Sequence, residues 1–496
     1  MSSIKTPDEK PGAGDSGSPE TAETKASIPN KPTYPNTLSR FLICLGLFLS
    51  VLCFGLDPTI ITTAVAKITS DFNALEHRLL IFGKLYSELD MKWLYLAALA
   101  IFEAGSVICA AAPNSASLII GRAIAGLGAA GMITGVFLII EHIAPLQSRP
   151  KITGMVGGAM GIAQVVVNLP RGAVTFVAVF VLVNVPKSDA LADSKKTEYQ
   201  RLAGIIRRFD LLGTVVLLPA IVSLLLALQW GGTEYAWGFW RVITTLVVFG
   251  VATLVWVGIQ YRAGDDATVP LRIIRGRSII SAMWFIFCII AVLVIFVQYV
   301  TIWSQARLGV SAYQSGINLL AATVSMSVTF IAAGFLTSKI GYYVPPIIAS
   351  TIITCISCGL ITRFNLDTAR AYWIPSLLLL TGIGIGAQQP FTIPQTVLIG
   401  PDISLGTSII IFSQTLSGTI FISIANNIFY PPTRLRAHEP SSCRGSRGCS
   451  LGRYPGEIEG LLEAYAATLG KVWIVMVVMA CLSIFGVVFP EWRSVK

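Results

Sequence analysis

One stretch of this chain leaves little freedom about what it can fold into: "ASLIIGRAIAGLGAAGMITGVFLII", residues 116 to 140, carries a single charge, Arg122, in 25 positions. A helix at a water-exposed surface needs a polar face, and this run has none. It is long enough to cross the hydrocarbon core of a bilayer, which takes about 20 apolar residues in helical form. Similar runs begin near Phe41 and recur at about 92 to 112, 152 to 168, 171 to 186, 209 to 229 and 239 to 259. A second set lies at about 278 to 303, 315 to 337, 343 to 362, 372 to 396, 403 to 428 and 469 to 489, which makes about 13 spans. With 54% hydrophobic and 12% charged residues and a mean hydropathy of +0.72, against about 25% charged in soluble domains, the chain cannot cover its exterior with polar groups. The expectation is an all-α polytopic membrane protein.

Within that run, "GLGAAG" (126 to 131) fits the G-x-G-x-x-G spacing of a dinucleotide loop. That loop needs a strand before it, a helix after it and an acidic residue about 20 positions on, and none is supplied. Gly121, Ala125, Gly128 and Gly135 instead recur at helical spacing. Small residues on one helix face let a neighbouring backbone come close, so the motif predicts a packing face.

Residues 1 to 38, rich in Ser, Pro, Gly, Lys and Glu, read as a disordered tail. Lys and Arg gather in that tail, in "RPK" (149 to 151), in a linker at 187 to 208 and in a loop at 261 to 277. The positive-inside rule puts all four in the cytoplasm. It divides the chain into an N-terminal transmembrane half (39 to 186), two central helices (209 to 260) and a C-terminal half (278 to 490), with the loop 430 to 468 outside. The net charge of +10 then reflects topology, and nucleic acid is not an expected partner. The parity does not close, because three clear spans separate the tail from "RPK" where an even number is required. Between Ile68 and Lys92 the chain offers only "RLLIFGKLY", too short to cross.

A faint repeat links "GKLYSELDMKW" (83 to 93) with "GFLTSKIGYY" (334 to 343), and "GIGIGAQQP" (382 to 390) echoes the glycine-rich run at 121 to 131. Two related halves with a site between them is a common transporter plan. On these pieces, with "LDPTIITTAVAKI" in the first span and the two inserted central helices, the sequence resembles the major facilitator superfamily over about residues 40 to 490. It is most similar to the fourteen-spanner drug:proton antiporters, and among them to the fungal toxin and multidrug efflux pumps. The resemblance implies two helical-bundle halves and 14 spans. Three departures stand out: Ser87 where the loop motif has an acidic residue, no second span upstream of Gly83, and "VNLPRGAV" where an antiporter motif should follow "GGAMGIAQVV". The last two gaps have the look of excised blocks of about one helix each.

The resemblance and the residues together nominate the working groups. Asp57 stands alone in an apolar span, and an intramembrane ionisable residue points to function. If the turn after the next span is symmetrical about Pro113, Glu103 and Arg122 lie at one depth, as a buried guanidinium requires of a partner. These three are the candidates for proton coupling. Gln298, Tyr299, Gln388, Gln389 and Gln414 offer uncharged hydrogen-bonding groups that suit a lipophilic organic substrate, with helix–helix bonding as the alternative use. Gly83, Lys84, Lys92, Gly334, Lys339 and Gly341 form the candidate gating loops. Cys443 and Cys449, in the loop placed outside, are free to form a disulfide. Three histidines and no nucleophile–base or metal-ligand spacing argue against an enzyme. The expected function is proton-coupled export of a lipophilic metabolite, toxin or drug by a monomer in the plasma membrane, with a vacuolar or vesicle membrane as the other location. The proton gradient would stand in place of any cofactor. The alternative is a non-transporting membrane protein, inert or a ligand sensor.

Overall fold

The computed structural model describes residues 39–40, 43–51, 82–87, 89–112, 114–165, 210–232, 235–264, 267–308, 312–364, 373–429 and 455–495. Eleven long helices follow in order: α1 (Met91–Ala110), α2 (Ser115–Ile143), α3 (Arg149–Val165), α4 (Leu211–Trp230), α5 (Trp240–Ala263), α6 (Arg277–Leu308), α7 (Ala312–Ile340), α8 (Val344–Ile361), α9 (Trp373–Gly386), α10 (Pro401–Phe429) and α11 (Pro455–Leu482). Residues 43–51 and 82–87 are also helical. Among the described residues, nine helices are long and apolar enough to cross a membrane, and the β-structure consists of isolated bridges only. The architecture is the all-α one expected. The span expected at 372 to 396 is broken: α9 ends at Gly386, a single 3-10 turn covers Gln389–Phe391, and a short helix runs Thr392–Val397. Pro390 and Pro394 remove amide donors there, which is why a continuous helix does not form. The expected span at 171 to 186, the linker 187 to 208, Asp57, Cys443 and Cys449 lie outside the described residues.

The small-residue face of α2 packs on α1 as the spacing predicted. A Cβ on Gly128 would sit 2.5 Å from the Ala98 carbonyl oxygen, and one on Gly121 would sit 2.8 Å from Cys109 Sγ. Gly135 lies against Tyr86 and Tyr95 in the same way, and Gly105 of α1 meets the Ala125 backbone. The register these contacts define corrects the expected equal depth of Glu103 and Arg122; the Arg122 side chain lies outside those described. Gly105 faces Ala125 and Cys109 faces Gly121, so Arg122 is level with Ile108 and Glu103 with Leu127. Glu103 and Arg122 are thus offset by about five residues, or about 7 Å of helix rise. The cause is the connection. Asn114 is extended (φ −147°, ψ 167°) and caps α2 by accepting from the Ser117 amide at 2.8 Å, and α2 begins beyond the level at which α1 ends. Glu103 Oε1 is buried with no hydrogen-bond partner among the described residues.

Successive helices alternate in direction, so Lys84, Lys92, Arg149, Lys151, Arg277 and Lys339 share one end of the bundle, the basic end. The described turns at the other end carry Arg241 and Arg363. At the basic end Arg272 forms a two-pronged ion pair with Asp402 (2.7 and 3.1 Å). Glu491 bridges Arg277 (3.3 Å) and Arg493 (2.8 Å), tying the C-terminal segment to the start of α6. Gly341 closes α7 with φ +86°, a conformation that favours glycine, and its carbonyl accepts from the Val495 amide at 2.7 Å.

The central pair α4–α5 is fastened at both ends. Asp210 caps α4 by accepting from the Gly213 amide at 2.7 Å, and its other oxygen accepts from Gln260 of α5 and from the Thr268 amide (3.2 Å) and hydroxyl (3.1 Å). At the opposite end Asn427 of α10 donates to the Leu228 carbonyl. Burial pushes the Asp210 carboxyl up, but the bonds from Gly213, Gln260 and Thr268 outweigh it and hold it below the usual range. A carboxyl lowered in the folded state stabilises above its unfolded value, about 3.9, and the effect is lost as pH falls through the folded value. Asp210→Ala leaves those donors without their acceptor. It should cost about 1 to 3 kcal/mol, read as a lower melting temperature by an amount that stays constant between pH 6 and 8. Asp210→Asn should lose less.

Candidate functional site

The residues 82–165 meet the residues 312–429 in a seam at the basic end, and close backbone approaches define it. A Cβ on Gly83 would lie 2.5 Å from Ser408 Cβ of α10. On the other side, a Cβ on Gly334 of α7 would overlap the Pro150 carbonyl oxygen and sit 3.1 Å from Gly154 Cα of α3. The two repeat glycines therefore do the same job from opposite halves, each bringing its own half against a helix of the other. Deeper along α3, Gly158 packs on Ile331 and Gly157 receives the Gln388 side chain, whose Nε2 would be 2.6 Å from an added Cβ.

Polar and aromatic contacts reinforce the seam. Arg149 donates to the Ala144 carbonyl (3.1 Å), the Glu141 carbonyl (2.9 Å) and, across the seam, the Gln395 carbonyl (3.4 Å). Ser338 donates to the Gln147 carbonyl. Phe137 stacks on Phe391 with centroids 4.3 Å apart and planes 13° apart, and Lys151 Nζ lies 5.7 Å from the Phe335 ring centroid. Two helical halves closed against each other at one end, with spans on both sides, form the kind of joint at which a carrier rocks.

Comparison with known proteins agrees. Residues 79–169 match the family described as "Sugar (and other) transporter". The chain is 40% identical over 504 residues to the MFS-type efflux pump MFS1 of Arthroderma benhamiae, covering 92% of each chain. The chain belongs to the major facilitator superfamily. It is also 38% identical over 506 residues to the efflux pump aflT of Aspergillus parasiticus, covering 92% of this chain and 96% of that one. Among solved structures it shares its fold with the proton:xylose symporter XylE (TM-score 0.55, 13% identity, 93% of this chain and 98% of that one). The same holds for the human organic anion transporter MFSD10 (TM-score 0.55, 12% identity, 90% and 100%). This is a multi-pass membrane transporter and not an enzyme.

The comparison with that first efflux pump also bears on the two missing blocks. About 456 residues of this chain, 92% of 496, spread over 504 aligned positions, so about 48 positions belong to the relative and have no counterpart here. That is close to two spans of about 20 residues.

Within this superfamily chain the predicted site residues divide. Of the gating set, Gly83 and Gly334 form the seam. Lys84 is buried, Lys92 is half-buried and Lys339 is exposed, while Gly341 serves the α7 terminus. Of the five substrate candidates, Gln389 (2% exposed) accepts from Thr337 at 3.0 Å, and Gln388 lies in the seam. Tyr299 is fully buried and donates to Asn426 Oδ1 at 2.8 Å, near the opposite end. By helix rise it stands roughly 20 Å from Gln388 in depth, so these residues do not form one cluster. Tyr299 joins α6 to α10 instead. Gln298 is exposed on α6, and Gln414 is half-buried on α10. Sequence reasoning missed Arg149, Thr153 and Gln395. Arg149 was read only as a topology signal, and Gln395 sits seven residues after Gln388, a spacing that repeats on one helix face.

Proposed function

We propose that this transporter is a secondary carrier that exports a lipophilic organic metabolite, toxin or drug in exchange for protons. In this reading it acts as a monomer in the plasma membrane and draws on the proton gradient rather than a bound cofactor. The observation that carries the reading is the 40% identity to a named efflux pump over 92% of both chains. An aspyridones efflux protein of Neocamarosporium betae, 35% identical over 509 residues, supports an organic solute. The abundance of Lys and Arg at the seam end supports placing that end in the cytoplasm. Glu103, with its buried unpaired oxygen, and Asp57 are the carboxyl groups assigned to the proton, and Arg122 on the neighbouring helix is the third coupling residue.

The absence of about 48 aligned positions favours a second reading, a non-transporting membrane protein that is inert or binds ligand without alternating access. Inside-out vesicles carrying the protein separate the two. With an imposed pH gradient, acid inside, uptake of rhodamine 6G should exceed that of protein-free vesicles several-fold and should collapse when a protonophore is added. Uptake equal to that of protein-free vesicles supports the second reading. Uptake that survives the protonophore removes the proton from the mechanism.

A further inference from the structure

The seam holds four polar atoms that the closed arrangement leaves without partners. Thr153 Oγ1, Gln388 Oε1 and both Nε2 and Oε1 of Gln395 are buried with no hydrogen-bond partner among the described residues. Gln395 is 4% exposed, Gln388 8% and Thr153 1%. They lie along one line. Arg149 of α3 bonds the Gln395 backbone and Gly157 receives Gln388, and Thr153 falls halfway between, at i+4 and i+8 spacing on the same helix face. By contrast Gln389, their immediate neighbour, is paired with Thr337. A seam built only for adhesion would be apolar there, because a buried polar atom without a partner carries its full desolvation cost. Parting the halves exposes these groups, and each can then find a partner.

We propose that Thr153, Gln388 and Gln395 form a hydrogen-bonding intake site that exists only while the seam is parted, and that it takes a neutral, flat organic solute bearing an amide or lactam group. Two side-chain amides present donor and acceptor together, which a lactam matches and a hydrocarbon of the same shape does not. The three groups have no formal charge, so an ion gains little from them. The stacked pair Phe137 and Phe391 supplies the apolar wall of such a site. Closing the seam strips the solute of these bonds and hands it onward, so the same atoms that admit it also limit how firmly the seam shuts. This rests on the carrier reading above for its purpose, but its test does not use transport.

The test reads the seam directly. In a version without the nine native cysteines, Gln147→Cys and Lys339→Cys place thiols on the two sides, beside the Ser338–Gln147 bond. A short bifunctional maleimide then reports the closed fraction by its cross-linking rate. Thr153→Val, nearly isosteric, and Gln395→Met should each shift the balance towards the closed form, on the order of tenfold per group made apolar. In the parent, 2-quinolone, a lactam, should slow cross-linking while naphthalene does not, and in the Thr153→Val, Gln395→Met double variant 2-quinolone should lose its effect. Parental cross-linking rates in both single variants would overturn the proposal, because the groups would then carry no closing cost. So would equal retardation by 2-quinolone in the parent and the double variant. Failure of the vesicles to take up 2-quinolone, with the cross-linking behaving as expected, would count against the carrier reading and leave the site standing.

Discussion

Gly334→Val is expected to hold the seam apart and abolish transport while leaving the protein inserted and folded. The first added atom already overlaps the Pro150 carbonyl oxygen and lies 3.1 Å from Gly154 Cα, and neither is the end of a flexible side chain that can swing aside. Overpacking of this kind costs about 1 to 3 kcal/mol or more, and here the cost falls on the closed arrangement alone. A difference of about 1.4 kcal/mol is tenfold in population, so the closed form should fall by about fivefold to more than a hundredfold. Vesicle uptake should drop to background, the Gln147–Lys339 cross-link should slow, and the melting temperature should change little. Gly250→Val on α5 is the control, because an atom added there meets nothing within 4 Å. A Gly334→Val protein that transports at the parental rate would show that the seam does not need to close.

Asp57→Asn should have an effect of similar size on coupling. The change removes the titratable group and almost no volume, so insertion and stability should persist while proton-linked export disappears. Uptake of dye in vesicles should lose its dependence on the pH gradient. If the variant exports at full rate with an unchanged pH dependence, Asp57 is structural and Glu103 becomes the remaining carboxyl. Glu103→Gln is the matching experiment. Since Glu103 Oε1 has no described partner, the amide should be tolerated in the fold, and a loss of coupling would then be a chemical effect.

Much of this architecture was legible because lipid imposes simple rules. Apolar runs gave helices, the spacing of Gly121, Ala125, Gly128 and Gly135 gave a packing face, and the loop echo between Gly83 and Gly334 marked equivalent positions in two halves. What stayed hidden depends on three-dimensional register. The extended backbone at Asn114 moves α2 by about five residues relative to α1, which no count of residues around Pro113 reveals. Chemistry alone made Gln298, Tyr299 and Gln388 look alike. Only the fold separates a buried tyrosine bonded to Asn426, an exposed glutamine and a glutamine in the seam. Thr153 carried no signal in the chain beyond its polarity and Gln395 only its spacing from Gln388, because being unpartnered is a property of the surroundings.

The lightly held α5 has a consequence for the lipid around it. Its 24 residues make a rod about 36 Å long, against a hydrocarbon core of about 30 Å. Val242 and Gln260 are its buried residues, while Leu254, Val251, Val247 and Tyr261 are among the many that face outward. A helix longer than its bilayer tilts or thickens the membrane locally. α5 packs along α4, so hydrophobic mismatch is absorbed by a lean of the α4–α5 pair. The hinges of that lean are Asp210 at the basic end, which joins α4 to α5, and Asn427 at the other, which holds α4 to α10, and a thicker or thinner membrane strains those two before it reaches the seam.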